Sequence, residues 1–267
     1  MAILCWSKTN NRKRFVEKVL EIFEPEIGKA QTFLVKPNLV SWEPYPTTTH
    51  PEILDAVLEF LSDKDVVVSD APAFDAGSSK RIMERSPLGE VCDSHGVPFV
   101  NLYETRAKRF VSPRGYRFHM LTLPLERDFV ISLPVLKTHN SCQMTGALKN
   151  QFGYLTRRER VLMHVGLKNI HQGIAELNVV AKPHLFIIDA VQTLVTAQEI
   201  RHGGKIRGFG YMLAGTDPVA IDCFGLELLK EVEPSLEGKS AEDVLHLKYS
   251  LDYEVGSKEF KAEEIVI

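Results

Sequence analysis

The chain repeatedly sets a short β-branched or apolar run against a polar stop and follows it with apolar residues at helical spacing, the rhythm of a sheet covered by helices. AILCW at the start predicts a strand, and Arg12 to Ile22 a helix. Thr32 to Val35 predicts a buried strand, Ile53, Leu54, Val57, Leu58 and Leu61 a helix opening at Pro51, and Asp65 to Ser69 a second strand ending at Asp70. The unit from Thr32 to Asp70 is therefore read as a βαβ crossover, for which a right-handed connection is the rule.

The rhythm continues to the end of the sequence. A helical region is expected over Ser79 to Ser94, a strand over Pro98 to Leu102, and a hairpin over Arg109 to Leu123 turning at Pro113, Arg114 and Gly115. Phe129 to Leu133 and Leu185 to Ile188 read as buried strands stopped at Pro134 and Asp189, with a helix over Leu167 to Val180 between them. Tyr211 to Ala214 predicts a strand, Ala220 to Leu229 a helix, and Ala241 to Tyr249 a shorter helix opened by Ser240. No repeat or linker divides the 267 residues. The expectation is one α/β domain over residues 1–267: a mixed, mostly parallel sheet with helices on both faces and a β-hairpin insertion.

Charge and apolar runs narrow the partners. Net charge is -3, from 32 Lys plus Arg against 35 Asp plus Glu, so nothing global recruits nucleic acid or an anionic membrane, and either would need a local patch. The opening MAILCWSKTNNRKRF is apolar over too short a stretch for a signal sequence, and no run approaches the roughly 18 apolar residues of a membrane helix, so the cytoplasm is the expected compartment. Cys5, Cys92, Cys142 and Cys223 form no C-x-x-C pair, so no iron-sulfur cluster is expected on this chain, and reduced, buried thiols are.

Parallel α/β sheets place ligands beyond the carboxyl ends of their strands. VKPNLV puts Lys36 and Asn38 there, VVVSDAP puts Asp70, VISLPVLKTH puts Lys137, Thr138 and His139, and LFIIDA puts Asp189. An ammonium ion close to buried backbone needs an anionic partner, which for Lys36 and Lys137 is either Asp70 or Asp189 or a ligand phosphate or carboxylate. In TGALKNQFG, Lys149 and Asn150 are candidate ligand contacts, Thr145 is a candidate helix cap, and an anion is expected at that helix N-terminus. No P-loop, dinucleotide fingerprint or G-x-S-x-G elbow is found.

His50, His139 and His164 stand far apart, so spacing does not test a metal triad with Asp189 or Asp217; isolated histidines more often complete hydrogen-bond networks or act as acid and base. Gly203, Gly204, Gly208 and Gly210 read as a hairpin turn rather than a phosphate cradle. Arg106, Lys108, Arg109, Arg114 and Arg117 form a basic hairpin, read first as a solvated face and second as a dock for an acidic protein or RNA.

Six segments, VKPNLV (35–40), TTHPEILDAV (48–57), LPVLKTH (133–139), TGALKNQFG (145–153), KPHLFIIDA (182–190) and LAGTDPVAID (213–222), together resemble the family called domain of unknown function 362. The resemblance implies a redox setting, since its members are often fused to ferredoxin-like iron-sulfur modules, and this chain has the sequence of no such module. It also implies shared polar positions at Lys36, Asn38, His50, Lys137, His139, Lys149, Asn150, His164, Asp189 and Asp217. The chain departs from the family where a Gly-rich acidic stretch usually follows the IIDA strand; here VQTLVTAQEI occupies 191–200. TTTHPE is also similar to the Thr-His-Arg-Pro turn of lactate-racemase-like proteins, an analogy of fold.

The expected function is the binding of a small anionic substrate or cofactor of unknown identity in a cleft lined by Lys, Asn and His. The candidate catalytic residues are His50, His139, His164 and Lys137, and the candidate ligand-binding residues Lys36, Asn38, Lys149, Asn150, Asp189 and Asp217. The alternative is a non-enzymatic accessory protein that docks a ferredoxin-like partner. The architectural expectation is that Lys36, Asp70, Lys137 and Asp189 end strands of one sheet and face one cleft.

Overall fold

A computed structural model describes residues 2–267. The chain runs through β1 (Ala2–Lys8), α1 (Arg12–Ile27), β2 (Thr32–Pro37), α2 (Pro51–Phe60), β3 (Asp65–Asp70), α3 (Ser79–Glu84), α4 (Pro87–His95) and β4 (Phe99–Asn101). The hairpin β5 (Ala107–Val111) and β6 (Arg117–Leu121) is followed by β7 (Phe129–Leu133), a small hairpin of β8 (Lys137–His139) and β9 (Gln143–Thr145), and α5 (Ala147–Asn150). Then come α6 (Arg157–His164), α7 (Ile170–Ala181), β10 (Leu185–Val195), β11 (Lys205–Gly215), α8 (Pro218–Leu229), α9 (Leu245–Asp252) and β12 (Phe260–Glu264). Among these helices none is long and apolar enough to cross a membrane.

The large sheet has the order β12-β1-β11-β10-β7-β2-β3-β4. The run β10-β7-β2-β3-β4 is parallel throughout, as is the β1–β12 edge, while β11 runs antiparallel to both β1 and β10. The sheet is thus mixed and mostly parallel, with β5–β6 standing apart as its own two-stranded ribbon.

Alternation along the strands divides the core. Phe33 and Val35 face a cluster with Phe15 and Val19 of α1 and Leu54 and Val57 of α2, whereas Leu34 faces a second cluster with Phe152, Ile174, Leu177 and Leu226. Lys36, next in the alternation after Leu34, therefore points to the same side as Leu34, where α5 and the turn after it lie. The sheet's two faces are covered by different helices, and the polar ends of β2 and β3 open at one rim.

Four local expectations are corrected. The region 79–94 is two helices, because Ser86 caps a new start and Pro87 occupies its first turn. The stretch from Ala241 opens as a single 3-10 turn locked by a Ser240–Asp243 capping box, and the α-helix proper begins at Leu245. Thr145 does not cap α5; Gly146 does, and the helix N-terminus is occupied by the Asp222 carboxylate, which accepts from Ala147 N at 2.6 Å and Leu148 N at 3.0 Å. The anion expected there is therefore part of the chain itself.

The fourth correction is Asp189. It does not end its strand, because β10 continues through the β-branched Val191, Thr193 and Val195 and pairs with β11 past a bulge between Ala190 and Gln192. Its carboxylate is fully buried and satisfied by Arg12 Nε at 2.7 Å, the Tyr45 hydroxyl at 2.7 Å and Val191 N at 2.9 Å. Burial pushes the Asp189 carboxyl up, and Arg12 opposes it. Removing one partner of such a pair strands the other charge. Arg12→Met is expected to lower stability by roughly 3–5 kcal/mol in urea unfolding, and adding Asp189→Asn to recover much of the loss. A wild-type midpoint for Arg12→Met would show the pair to be dispensable.

Candidate functional site

The rim at the ends of β2 and β3 is closed into a cavity by five further segments: the 38–49 loop, the 71–75 loop, the β8–β9 hairpin with α5, α6, and the 196–204 loop. Glu43 ties two of them, accepting from Thr47 Oγ1 at 2.8 Å and from the backbone N–H groups of Ile200 and Arg201 at 2.8 and 2.6 Å. The cavity has a volume of about 150 Å³. Lys36, Asn38, Asp70, Lys137, His139, Lys149, Asn150 and His164 line it, so eight of the polar residues singled out in the sequence come together.

Lys36 is an internal ion pair. Its Nζ lies 2.8 Å from Asp70 Oδ1 and donates to Pro37 O at 3.0 Å. Burial pushes the Lys36 ammonium down, and Asp70 opposes that shift. The remaining acceptor capacity of Asp70 goes to Leu39 N at 2.7 Å and Ala71 N at 2.8 Å. Asn150 is a floor residue, accepting from Lys36 at 3.4 Å and donating to Ser132 Oγ at 2.9 Å. Asn38 staples its loop by donating to Thr47 O at 2.9 Å.

Lys137 and Lys149 differ from Lys36. Lys137 does not follow β7 directly as a strand-end residue; it opens β8, is 1% exposed, and donates only to Thr47 O at 2.6 Å. Lys149 lies with Nζ 4.1 Å from the Phe152 ring centroid. Among the described residues neither has a carboxylate partner. Burial brings Lys137 to about 7, with Glu199 opposing the shift and Lys149 adding to it; burial, with Arg160 and Lys36 adding repulsion, brings Lys149 to about 8.

Arg160 is the residue that sequence reasoning missed. Its Nη1 donates to Ala71 O, Pro72 O and the Tyr103 hydroxyl at 2.8, 3.0 and 2.6 Å, while buried Nε has no partner. The signal was available in RERVLMH, because Arg160 and the singled-out His164 are i,i+4 on one face of α6, whose N-cap is Thr156. The acids at the rim make no ion pair with these cations, although Glu199 and Glu43 favour the charged form of Lys137 from a distance. Glu199 is held by Arg201 through contacts of 2.7 and 3.1 Å, and Asp75 by the same Arg201 at 2.9 Å.

The two cavity histidines carry opposite hydrogen-bond polarity. His139 Nδ1 accepts from Ser141 N at 3.1 Å and Cys142 N at 3.3 Å, which leaves the proton on Nε2. Burial, then Lys149, holds His139 well below its usual range. His164 is the reverse: Nδ1 lies 2.7 Å from the Arg160 carbonyl, which can only accept, so Nε2 carries the lone pair. Burial against Phe74 and Phe152 lowers His164, and the carbonyl bond partly opposes that.

The other candidates lie elsewhere. His50 caps α2, its Nδ1 accepting from Glu52 N at 3.2 Å, and does not line this cavity. Asp217 caps α8, accepting from Val219 N, Ala220 N and Ser257 N at 2.9, 3.0 and 2.9 Å. Asp189 faces Arg12. Their side chains satisfy backbone or buried charge, which a sequence pattern alone does not distinguish from ligand contact. Among the described residues no three His, Cys, Asp or Glu side chains gather to hold a metal ion. The thiols of Cys5, Cys92, Cys142 and Cys223 are free and buried.

A β-carbon at Gly153 would run into Asp70 and press on Lys36 Nζ at 3.1 Å. Gly153→Ala is therefore expected to destabilise by roughly 1–3 kcal/mol, read as a lowered thermal midpoint, because neither partner of a buried ion pair can yield without losing the other. An unchanged midpoint would show that the pair has room to move.

Comparison with known proteins adds a family and a fold. The family described as Domain of unknown function (DUF362) matches residues 33–227. The "Thylakoid-associated protein sll1697" of Synechocystis sp. is 25% identical over 225 residues, covering 80% of this chain and 68% of that protein. Among solved structures, the lactate racemase apoprotein from Thermoanaerobacterium thermosaccharolyticum aligns with a TM-score of 0.55 at 16% identity, over 87% of this chain. The chain spans 58% of that structure's length, and a likeness at this identity is one of fold.

Proposed function

The chain belongs to the Domain of unknown function (DUF362) family, whose description leaves the role open, and we propose that it binds a small anion, a carboxylate or phosphate, between Lys137, Lys149 and Arg160. The observation that carries this reading is the convergence of three buried cationic side chains, without a carboxylate partner among the described residues, on one cavity. Buried charge of one sign is costly until a counter-ion arrives. The volume of about 150 Å³ matches a cavity that holds benzene, so the ligand is a compact acid rather than a whole nucleotide. The structural neighbour is named a racemase of lactate, itself a carboxylate of this size; the cavity, not that name, carries the proposal.

The histidines supply what proton transfer on such an anion needs. His164 Nε2, with its lone pair at the rim, is the base, and His139 Nε2–H is a neutral donor to an oxygen on which charge develops. Lys137 and Lys149 orient the anion and offset its charge.

The test is calorimetric titration with lactate and with sulfate, whose charges are constant near neutrality. Because the free lysines titrate at about 7 and about 8, a bound anion raises both, so binding takes up protons and weakens as pH rises through that window. Lys137→Met and Lys149→Met are each expected to lose roughly tenfold to a hundredfold in affinity, the worth of a charge-assisted hydrogen bond. Their thermal midpoints should hold, because a buried unpaired ammonium has been removed. Affinity that ignores pH and both substitutions would refute the reading.

A second reading rests on a separate observation. Arg106, Lys108, Arg109, Arg114 and Arg117 are exposed and make no ion pair among the described residues, which supports the β5–β6 hairpin as a dock for an acidic, ferredoxin-like protein. Such a complex would dissociate with added salt.

A further inference from the structure

A second cavity, of about 290 Å³, lies against the 39–51 segment and the α3–α4 junction, sharing only Leu39 with the first. Its walls include Trp42, Pro44, Tyr45, Ile82 and Leu88. Three observations mark it as more than a packing gap. Trp42 is 67% exposed, an unusual position for the largest apolar side chain unless something covers it. Ser41 Oγ is buried in the cavity lining with no hydrogen-bond partner, and buried hydroxyls are nearly always satisfied. Arg85 is exposed at the lining and makes no ion pair among the described residues.

His50 lines the same cavity. Its Nδ1 is taken by Glu52 N, so Nε2–H is the donor it has left. Apolar walls with a few convergent polar groups are the usual composition of a small-molecule site.

We propose that this cavity binds a planar, two-ring aromatic acid, its rings against Trp42 and Pro44 and its carboxylate facing Arg85, with His50 available to its polar atoms. The volume sets the ring count, being about twice the roughly 150 Å³ that accommodates benzene. Arg85 sets the charge, since a guanidinium pairs with a carboxylate through two parallel hydrogen bonds. The site takes a different ligand from the first cavity: there the walls are cationic and the room is for a compact acid, here they are largely apolar with one cation, Arg85, and one acid, Glu43, whose oxygens are already taken by Thr47 Oγ1 and the N–H groups of Ile200 and Arg201.

The probe is naphthalene-2-carboxylate, with naphthalene-2-carboxamide as its neutral counterpart, followed by calorimetry and tryptophan emission. The chain has two tryptophans, so Trp42→Phe isolates the signal of Trp6. The acid is expected to bind at least tenfold more tightly than the amide and to quench Trp42, and Arg85→Gln to reduce the acid to the level of the amide. Lys149→Met should leave both affinities within about twofold, because it alters only the other cavity. Equal affinity for acid and amide, an unquenched Trp42, or loss of binding in Lys149→Met would overturn the proposal.

Discussion

Lys36 and Asp70 meet at 2.8 Å where the neighbouring parallel strands β2 and β3 end, and most of the cavity's shape depends on that contact. Because Asp70 also takes Leu39 N, the chain leaving β2 is turned at once into the 38–49 loop. Lys36 in turn requires a residue without a side chain at Gly153 and an amide oxygen at Asn150, which fixes the turn after α5 over the strand ends. A buried pair of this kind contributes little net stability after desolvation, but it tolerates few alternative arrangements of the elements around it. The ion pair thus acts as a specification of geometry, and the remaining cations are placed by the elements it positions.

Two sets of charged side chains contrast. Buried Asp189, Asp222 and Glu43 and half-buried Asp217 each accept from two or more donors, and several of those donors are backbone N–H groups at helix starts or loop turns. These carboxylates hold segments together. Lys137, Lys149 and Arg160 have no carboxylate of their own and face the same 150 Å³ space. Glu176 is an exception among the acids, fully buried with neither carboxylate oxygen hydrogen-bonded. It is the convergence of the three cations on one cavity that supports reading them as a receptor rather than as scaffolding.

The sheet was legible because β-branched runs with polar stops are local signals, and Thr32 to Asp70 emerged as the β2–α2–β3 unit. Where the reading failed, the deciding partner was distant in sequence. Asp189 looks like a strand-end ligand until Arg12, 177 residues away, is seen to hold it. The N-terminus of α5 looks open to an anion until Asp222 of α8 fills it. His50 and Asp217 sit in conspicuous motifs, yet cap helices, a role that Pro at 51 and Pro at 218 already hinted at. Of the cavity residues, those on strand ends and the TGALKNQFG segment were found, whereas Arg160 needed its helical phase relative to His164.

The hydrogen bonds already made by the two cavity histidines constrain any proton movement there. Protonating His139 at Nδ1 would displace the N–H groups of Ser141 and Cys142 and add a positive charge beside Lys149 and Lys137. An anion relieves the second cost but not the first, so His139 remains a neutral donor whether or not the cavity is filled. His164 faces no such obstacle, because its Nδ1–H already rests on the Arg160 carbonyl and a proton gained at Nε2 breaks no existing bond. An anion between Lys149 and Arg160 would also remove the repulsion that helps to hold His164 down. On the proposed reading, filling the cavity makes His164 a stronger base while leaving His139 a donor, and the cations that would recruit the anion also decide which histidine takes its proton.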